Sequence, residues 1–351
     1  MKRIVIPHPG GHEVLRIEEG ADLVPGPGEV LVRVQAAGVN YADCVTRMGL
    51  YASAKKYEGY PMTPGFEVAG TVEALGDGVD DLAPGDEVMA VTRFRGYAEQ
   101  VRVPRSQVYR RPAGMTPIQA ASFPAVFLTA WYALFELAHP HPGDIVLIHS
   151  AAGGVGSALL QLARAAGCRT VGVVGAPHKV EAARALGAEW VIDKSSTALW
   201  PEAERAAPEG YAAVFDANGP ATLRQSYRHL APTGKLVVYG FHSMLPRRGG
   251  VPSRLRLALD YLRTPRFDPF RMTGENRSIM GFNLSYLFDR QDLLQTGMID
   301  LLTKFESGLL RLPAVTAYPF EEPARAHRDL ESGQTVGKLV LVLSPTTPKE
   351  A

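Results

Sequence analysis

Gly153, Gly154 and Gly156 fall between the apolar run Ile145-Val146-Leu147-Ile148 and a stretch of strong helix formers, residues 158–166, that Gly167 closes. The apolar run shows no polar alternation, as befits a strand buried on both faces. Glycines at such a strand-to-helix turn let the backbone approach a pyrophosphate, whose charge is favoured at the positive end of the helix. A second apolar run, Thr170-Val171-Gly172-Val173-Val174, completes a strand–turn–helix–strand unit of βαβ length. Ala151 stands where a G-x-G-x-x-G pattern would have its first glycine. With strands on both sides, the stretch with Gly153, Gly154, Val155 and Gly156 reads as a dinucleotide site.

The remaining chain must position that unit. Residues 1–124 read as β-rich, with strand-like runs at 4–6, 29–34, 66–72 and 87–91. Turn chemistry such as Pro25-Gly26-Pro27-Gly28 and Pro84-Gly85-Asp86 separates them. Short, closely spaced strands of this kind predict a compact barrel-like domain. From about Thr116 the character changes. Residues 117–138 carry helical periodicity, and strand and helix signals then alternate to about residue 240, the mark of a doubly wound α/β sheet. Further on, a strand is expected at 279–284, helices at 291–308 and 321–332, and a closing strand at 338–343.

Composition narrows the function classes. The chain has 351 residues, enough for two cores, and a net charge of +1, which argues against a nucleic-acid binder relying on bulk charge. No apolar run of membrane-spanning length stands out. The first residues are basic without a sustained apolar region, so no signal peptide is expected, and a cytoplasmic protein is the default. The only cysteines, Cys44 and Cys168, read as small hydrophobes, and two cannot form a disulfide framework or a four-cysteine zinc site. The nine histidines form no metal or catalytic constellation.

Four motifs beside the glycine turn extend the reading: Ala37-Gly38-Val39-Asn40-Tyr41-Ala42-Asp43, Pro64-Gly65-Phe66-Glu67-Val68-Ala69-Gly70, Pro84-Gly85-Asp86-Glu87-Val88 and Val336-Gly337-Lys338-Leu339-Val340-Leu341. With them the chain resembles the medium-chain dehydrogenase/reductase superfamily, in its zinc-free quinone oxidoreductase (zeta-crystallin-like) branch. The resemblance implies an α/β fold: a GroES-like β-rich catalytic domain (1–124), a doubly wound Rossmann domain for NADPH (125–285) and a C-terminal return to the first domain (286–351). At the three zinc-ligand positions of the zinc-dependent branch stand Asn40, Phe66 and Ala125. Asn is a poor zinc ligand, and Phe and Ala have no donor atom. Without a Lewis acid to stabilise an alkoxide, alcohol oxidation gives way to hydride delivery to a quinone or an enone.

The choice of nicotinamide rests on the residues after the second Rossmann strand. Val174-Gly175-Ala176-Pro177 offers no acid for a ribose diol, and Lys179 stands close behind, so a 2′-phosphate and hence NADPH is favoured. The resemblance often brings a serine before this lysine and a tyrosine after the next strand. Here Ala176-Pro177 and Asp193-Lys194 stand instead, and Lys194 is either a second phosphate contact or a surface lysine. By resemblance, Asn40 and Thr129 lie near the nicotinamide and its ribose, and Tyr51 projects into the substrate cleft as a donor to the carbonyl or as part of an apolar wall. Asn218, Gly240 and Phe241 come after strand ends at the crevice, and Phe282 and Lys338 are carried over as cofactor contacts. Glu67 and Asp43 read as buried groups that orient the cleft. A homodimer is implied, through the strand at 279–284.

Residues 242–275 hold seven arginines against Asp260, Asp268 and Glu275. With Asn276–Leu287 they are similar to the vesicle amine transport branch of the same superfamily. Leu255, Leu259 and Leu262 would share one face of a helix ringed by Arg254, Arg256 and Arg263, a pattern that suits an anionic membrane, a cleft cap or a subunit interface. A second reading is therefore a nucleotide-sensing binding protein that engages a membrane or partner without stable insertion. A third is an enoyl-thioester reductase, for which the same arginines would meet a coenzyme A phosphate.

Overall fold

The computed structural model describes residues 1–246 and 250–343; Arg247 and Arg248 of the arginine-rich segment lie outside them. Strands β1 (Lys2–Val5) and β2 (Arg16–Glu19) pair as an antiparallel ribbon. They precede β3 (Glu29–Val39), α1 (Tyr41–Arg47), α2 (Ala52–Tyr57), β4 (Glu67–Leu75), β5 (Glu87–Val91), β6 (Gln100–Pro104) and β7 (Val108–Arg110). β3 runs on past the apolar run that marks it in the sequence, because Ala36, Ala37 and Val39 are also buried. β2, β6 and β7 are short and carry arginines, so they give little strand signal.

The helix expected over 117–138 is interrupted. It comprises α3 (Pro117–Ala120), α4 (Pro124–Trp131) and a π-helical segment at Tyr132–Ala138. Pro124 lacks the N–H that would continue the ladder, so the helix restarts there. This stretch is long and apolar enough to cross a membrane, contrary to the sequence expectation, but most of it is buried in the core. Phe127, Leu128 and Leu134 are among its fully buried side chains, each worth about 2–3 kcal/mol of burial.

Next come β8 (Ile145–Ile148), α5 (Gly154–Ala165), β9 (Arg169–Val174), α6 (Val180–Ala185), β10 (Trp190–Asp193), α7 (Leu199–Ala206), β11 (Tyr211–Asp216), α8 (Leu223–Arg228) and β12 (Leu230–Val238). α9 (Arg254–Arg263), α10 (Pro269–Glu275) and β13 (Ser278–Gly281) complete this layer. The strand expected at 279–284 therefore ends early: Asn283 caps a 3-10 segment, Leu284–Asp289, through the Ser285 N–H. The sheet is parallel throughout in the order β10-β9-β8-β11-β12-β13. Strand order reverses between β8 and β11, so the crevice beyond their C-terminal ends is where a ligand of such a sheet sits.

α11 (Gln291–Glu306) packs on α4, where Gly297 leaves room for the Trp131 ring and Trp131 Nε1 donates to Asp300 Oδ2 at 2.8 Å. Beyond it, β14 (Val315–Pro319), α12 (Pro323–Ser332) and β15 (Lys338–Val342) return the chain to the first sheet. β15 lies between β14 and the second half of β3, while the first half of β3 pairs with β6. Val30, Val32, Val68, Val88, Leu339 and Leu341 fill the core of this sheet.

Candidate active site

The glycine turn has the form its sequence predicts. Gly153 is the N-cap of α5 and has no side chain to cap it, so the N–H groups of Gly154, Val155 and Gly156 are left for a ligand. A Cβ on Gly156 would stand 2.3 Å from Ser150 O and 2.8 Å from Ala151 Cα, so this position admits no other residue without moving the turn. The turn is fastened to the first domain by backbone pairing: Gly337 N donates to Ala152 O at 2.8 Å, directly before β15. A strand from the chain's end thus ties the nucleotide turn to the GroES-like sheet.

Lys338, the first residue of β15, comes directly after that tie. Its Nζ is 2.6 Å from Glu67 Oε1, 2.9 Å from Val39 O and 2.5 Å from Asn40 Oδ1. Asn40 Nδ2 in turn donates to Glu67 Oε1 at 2.9 Å, and Ala125 N donates to Glu67 Oε2 at 2.8 Å. Lys338 and Glu67 are both buried, so the pair is compensated charge with every close partner satisfied. Of the three positions that carry zinc ligands in the zinc-dependent branch, Asn40 and the Ala125 backbone join this network and Phe66 is the chain neighbour of Glu67; Phe66 and Ala125 bring no donor side chain, and Asn40 is held by Lys338 and Glu67. The donor set does not fit zinc.

Asn40 is also the N-cap of α1, and its backbone N–H is bound by Asp43 Oδ2 at 2.8 Å. Asp43 is completely buried and accepts from Gly65 N and the Tyr97 hydroxyl as well; burial pushes its carboxyl up to about 7 against the pull of these bonds and of Lys338. Behind it lies a chain of buried polar groups that sequence spacing gives no signal of. Tyr97 meets His327 Nε2 at 3.4 Å, His327 Nδ1 meets Arg47 Nη1 at 3.4 Å, and Arg47 pairs with Glu331 at 2.9 Å. Cys44, His327 and Glu331 bring ligand atoms within 4.8 Å of one another, a cluster the sequence does not foretell. The Arg47 guanidinium already occupies Glu331 and His327, so the cluster is a salt-bridged core and not a cation site.

Tyr51 lies at the cleft, edge-on to Phe66 and Phe94 with ring centroids 5.8 and 6.3 Å away. Its hydroxyl donates to Asn283 Oδ1 at 2.7 Å, across the gap between the two domains, and burial pushes its pKa up, so the phenol keeps its proton. Thr129 is half-buried and donates to Ala125 O at 2.7 Å, one turn back on α4. Asn218 stands just after β11; it is buried, and its side-chain Nδ2 has no partner, an orphan donor at the crevice of the kind a ligand satisfies. Gly240 lets the chain pass 2.9 Å from Ala217 O where a Cβ would be, and Phe241 is half-exposed beside Gly219. Phe282 packs between Tyr132 and Tyr239 at 4.9 and 6.3 Å. His149 is buried against Ser226 and Trp200, a packing role.

At the other end of the crevice, Lys179 is nearly buried and donates to Gly333 O at 2.6 Å. Burial lowers its ionisation first, and the charge of Lys194 lowers it further. Lys194 is exposed, and its Cε lies 3.6 Å from where a Cβ on Gly175 would stand. Two cations beside the end of β9, with no acid in the turn after it, suit a dianion. The residues present thus fit a phosphorylated dinucleotide: open helix N–H groups that suit a pyrophosphate, an orphan amide at the crevice and two lysines near the end of β9 that suit a further phosphate.

Residues 26–127 match the family described as alcohol dehydrogenase GroES-like domain, and residues 154–304 the family described as zinc-binding dehydrogenase. The chain is 34% identical over 340 residues to the synaptic vesicle membrane protein VAT-1 homolog of Rattus norvegicus, covering 96% of this chain and 82% of that protein. It superposes on a quinone oxidoreductase of Pseudomonas syringae with TM-score 0.85 at 30% identity, covering 97% of this chain and 99% of the other. A quinone oxidoreductase of Escherichia coli complexed with NADPH gives TM-score 0.84 at 26% identity, covering 97% and 100%. The GroES-like sheet, the parallel sheet with its glycine turn and these relatives agree: the chain belongs to the medium-chain dehydrogenase/reductase superfamily, on its zinc-free side.

Proposed function

We propose that the chain is an NADPH-dependent, zinc-independent oxidoreductase that reduces a quinone or an α,β-unsaturated carbonyl. The observation that carries this reading is the Asn40–Lys338–Glu67 network beside the nucleotide turn, an ammonium and a carboxylate holding the amide that stands where the resemblance puts a zinc ligand. Gly153, Gly154, Val155 and Gly156 would hold the pyrophosphate of NADPH, with Lys179 and Lys194 at its 2′-phosphate and Asn218, Gly240, Phe241, Phe282 and Thr129 along its nicotinamide half. Bound there, NADPH would supply a hydride from its C4. The chain's own part is to orient and to exclude water: Lys338 and Glu67 fix the Asn40 amide, and Phe66, Phe94 and Ala125 make an apolar wall against which a flat electrophile lies. The quinone oxidoreductases to which the chain is similar support the substrate class and the cofactor.

Loss of nicotinamide absorbance with purified protein tests the reading, using NADPH or NADH with an ortho-quinone, a para-quinone, a 2-alkenal and an enoyl thioester. Turnover of a quinone or the alkenal with NADPH, much slower with NADH, is the expected result. Tight NADPH binding without turnover on any member would overturn it, and turnover of the thioester alone would assign an enoyl-thioester reductase. We place the enzyme in the cytoplasm as a homodimer joined along β13, the outer strand of the parallel sheet.

One observation favours a second reading. α9 and α10 leave Leu255, Tyr261, Leu262 and Phe270 exposed at 73, 71, 71 and 91%, among Arg254, Arg256 and Arg263. An apolar, basic face of that kind suits a nucleotide-sensing protein that engages an anionic membrane or a partner.

A further inference from the structure

Asn283 follows β13, the outer strand of the parallel sheet, and caps the 3-10 segment after it. Its Oδ1 accepts from the Ser285 backbone N–H at 3.0 Å and from Ser285 Oγ at 2.8 Å. A backbone N–H can only donate, so this turn settles which way the amide points: the oxygen faces Ser285, and the same oxygen meets the Tyr51 hydroxyl at 2.7 Å. Tyr51 must therefore be the donor in that contact. A phenol has one proton, and this one is committed. What Tyr51 retains for the cleft is acceptor capacity alone. The surroundings keep the arrangement in place, since Ser285 is fully buried, and Phe66, Phe94, Ala125 and Leu284 enclose the ring in an apolar cluster. Ser53, fully buried, and Ser285 also bring their hydroxyls to the Tyr51 phenol.

We propose that Asn283 is a positioning residue that withdraws the Tyr51 proton from the reaction and so biases the site toward quinones over enones. The inference rests on the reductase reading. The two electrophiles differ in what they need after a hydride arrives. A quinone that accepts a hydride becomes a hydroquinone monoanion, stable enough to take the one proton it still needs from water, while NADPH leaves as NADP⁺. An enone that accepts a hydride at its β-carbon becomes an enolate, which must be stabilised at oxygen and then protonated at the α-carbon. A donor held at the carbonyl oxygen helps the enone most. With Asn283 in place, the nearest phenol cannot be that donor.

The test is the ratio of kcat/KM for a 2-alkenal to that for a para-quinone, with NADPH, in N283A, N283D and N283A/Y51F. Removing the acceptor in N283A releases the tyrosine proton and should raise the alkenal-to-quinone ratio about tenfold or more, through kcat for the alkenal. N283D keeps an acceptor toward Ser285 and Tyr51 and should return the ratio to that of the wild type. The double variant should lose the gain. An unchanged or lowered ratio in N283A overturns the proposal, as does an equal rise in N283A/Y51F. If no electrophile is reduced by any variant, the reductase reading falls, and the Tyr51 contact is decided separately by proton NMR. A slowly exchanging Tyr51 hydroxyl in the wild type and N283D that is lost in N283A supports the contact, and its absence from the wild type refutes it.

Discussion

Replacing Lys338 by methionine removes an ammonium that three oxygens surround and keeps most of its aliphatic stem. Glu67 is then left fully buried, holding the Ala125 N–H and the Asn40 amide but with no cation at 2.6 Å. Removing one partner of a buried ion pair costs about 3–5 kcal/mol, because the remaining charge is desolvated and unpaired. K338M should therefore lose that much stability in urea denaturation and melt at least roughly 5 °C lower. Asn40 Oδ1 loses its donor in the same step, so quinone turnover should fall more than the occupancy of cofactor explains. The double variant K338M/E67Q removes both charges while a glutamine oxygen can still accept from Ala125 N. It should recover most of the loss and end about 1–2 kcal/mol below the wild type. If K338M alone lies within about 1 kcal/mol of the wild type, Lys338 does not neutralise Glu67 and the reasoning fails.

Four further outcomes are expected. K179A should raise the Kd for NADPH about tenfold and leave NADH nearly unaffected, read by nicotinamide fluorescence. G156A would place a methyl group against Ser150 O, and should destabilise the fold by about 1–3 kcal/mol and abolish cofactor binding in the same titration. Burial lowers the pKa of His12, His149, His242 and His327, that of His242 to about 4, so the unfolded chain takes up protons before the folded one as pH falls below 6.5. Asp43, raised to about 7, works in the opposite sense: its contribution is present at low pH and is lost as pH rises toward 7. Four groups outweigh one, and the urea midpoint should fall between pH 6.5 and 5, less steeply than in D43N. Flotation with anionic liposomes should leave the protein in solution with and without NADPH on the reductase reading; co-flotation favours the second reading in its membrane-binding form.

How much of this was legible in the sequence depends on the range of the interaction. The glycine turn is local, and Gly153, Gly154 and Gly156 give its form directly because a strand, a tight turn and a helix succeed one another within one segment. The break at Pro124 is equally local, yet helical periodicity on both sides masks it. Once the resemblance supplies the three ligand positions, the absence of zinc ligands needs only the identities of Asn40, Phe66 and Ala125. The group that fills their place needs more, since Lys338 is brought to Asn40 only when β15 pairs with β3 at the far end of the chain. The Tyr51–Asn283 contact crosses the domain gap, and no spacing encodes it. Asp43 reads as a buried orienting group from its motif, but the Tyr97, His327, Arg47 and Glu331 behind it come from separate segments. Lys179 illustrates the reverse case: its place shortly after the end of β9 is readable, while its tether to Gly333 depends on the C-terminus of α12.

The central claim is hydride transfer from NADPH without a metal, and quinone turnover before and after exhaustive chelation tests it most directly, with zinc content measured on the same samples. The predicted result is unchanged kcat/KM in protein free of stoichiometric zinc, and no gain when zinc is added. Activity that vanishes on chelation and returns with one equivalent of zinc would contradict the account, because it would require ligands other than Asn40, Phe66 and Ala125 to build a metal site in this cleft.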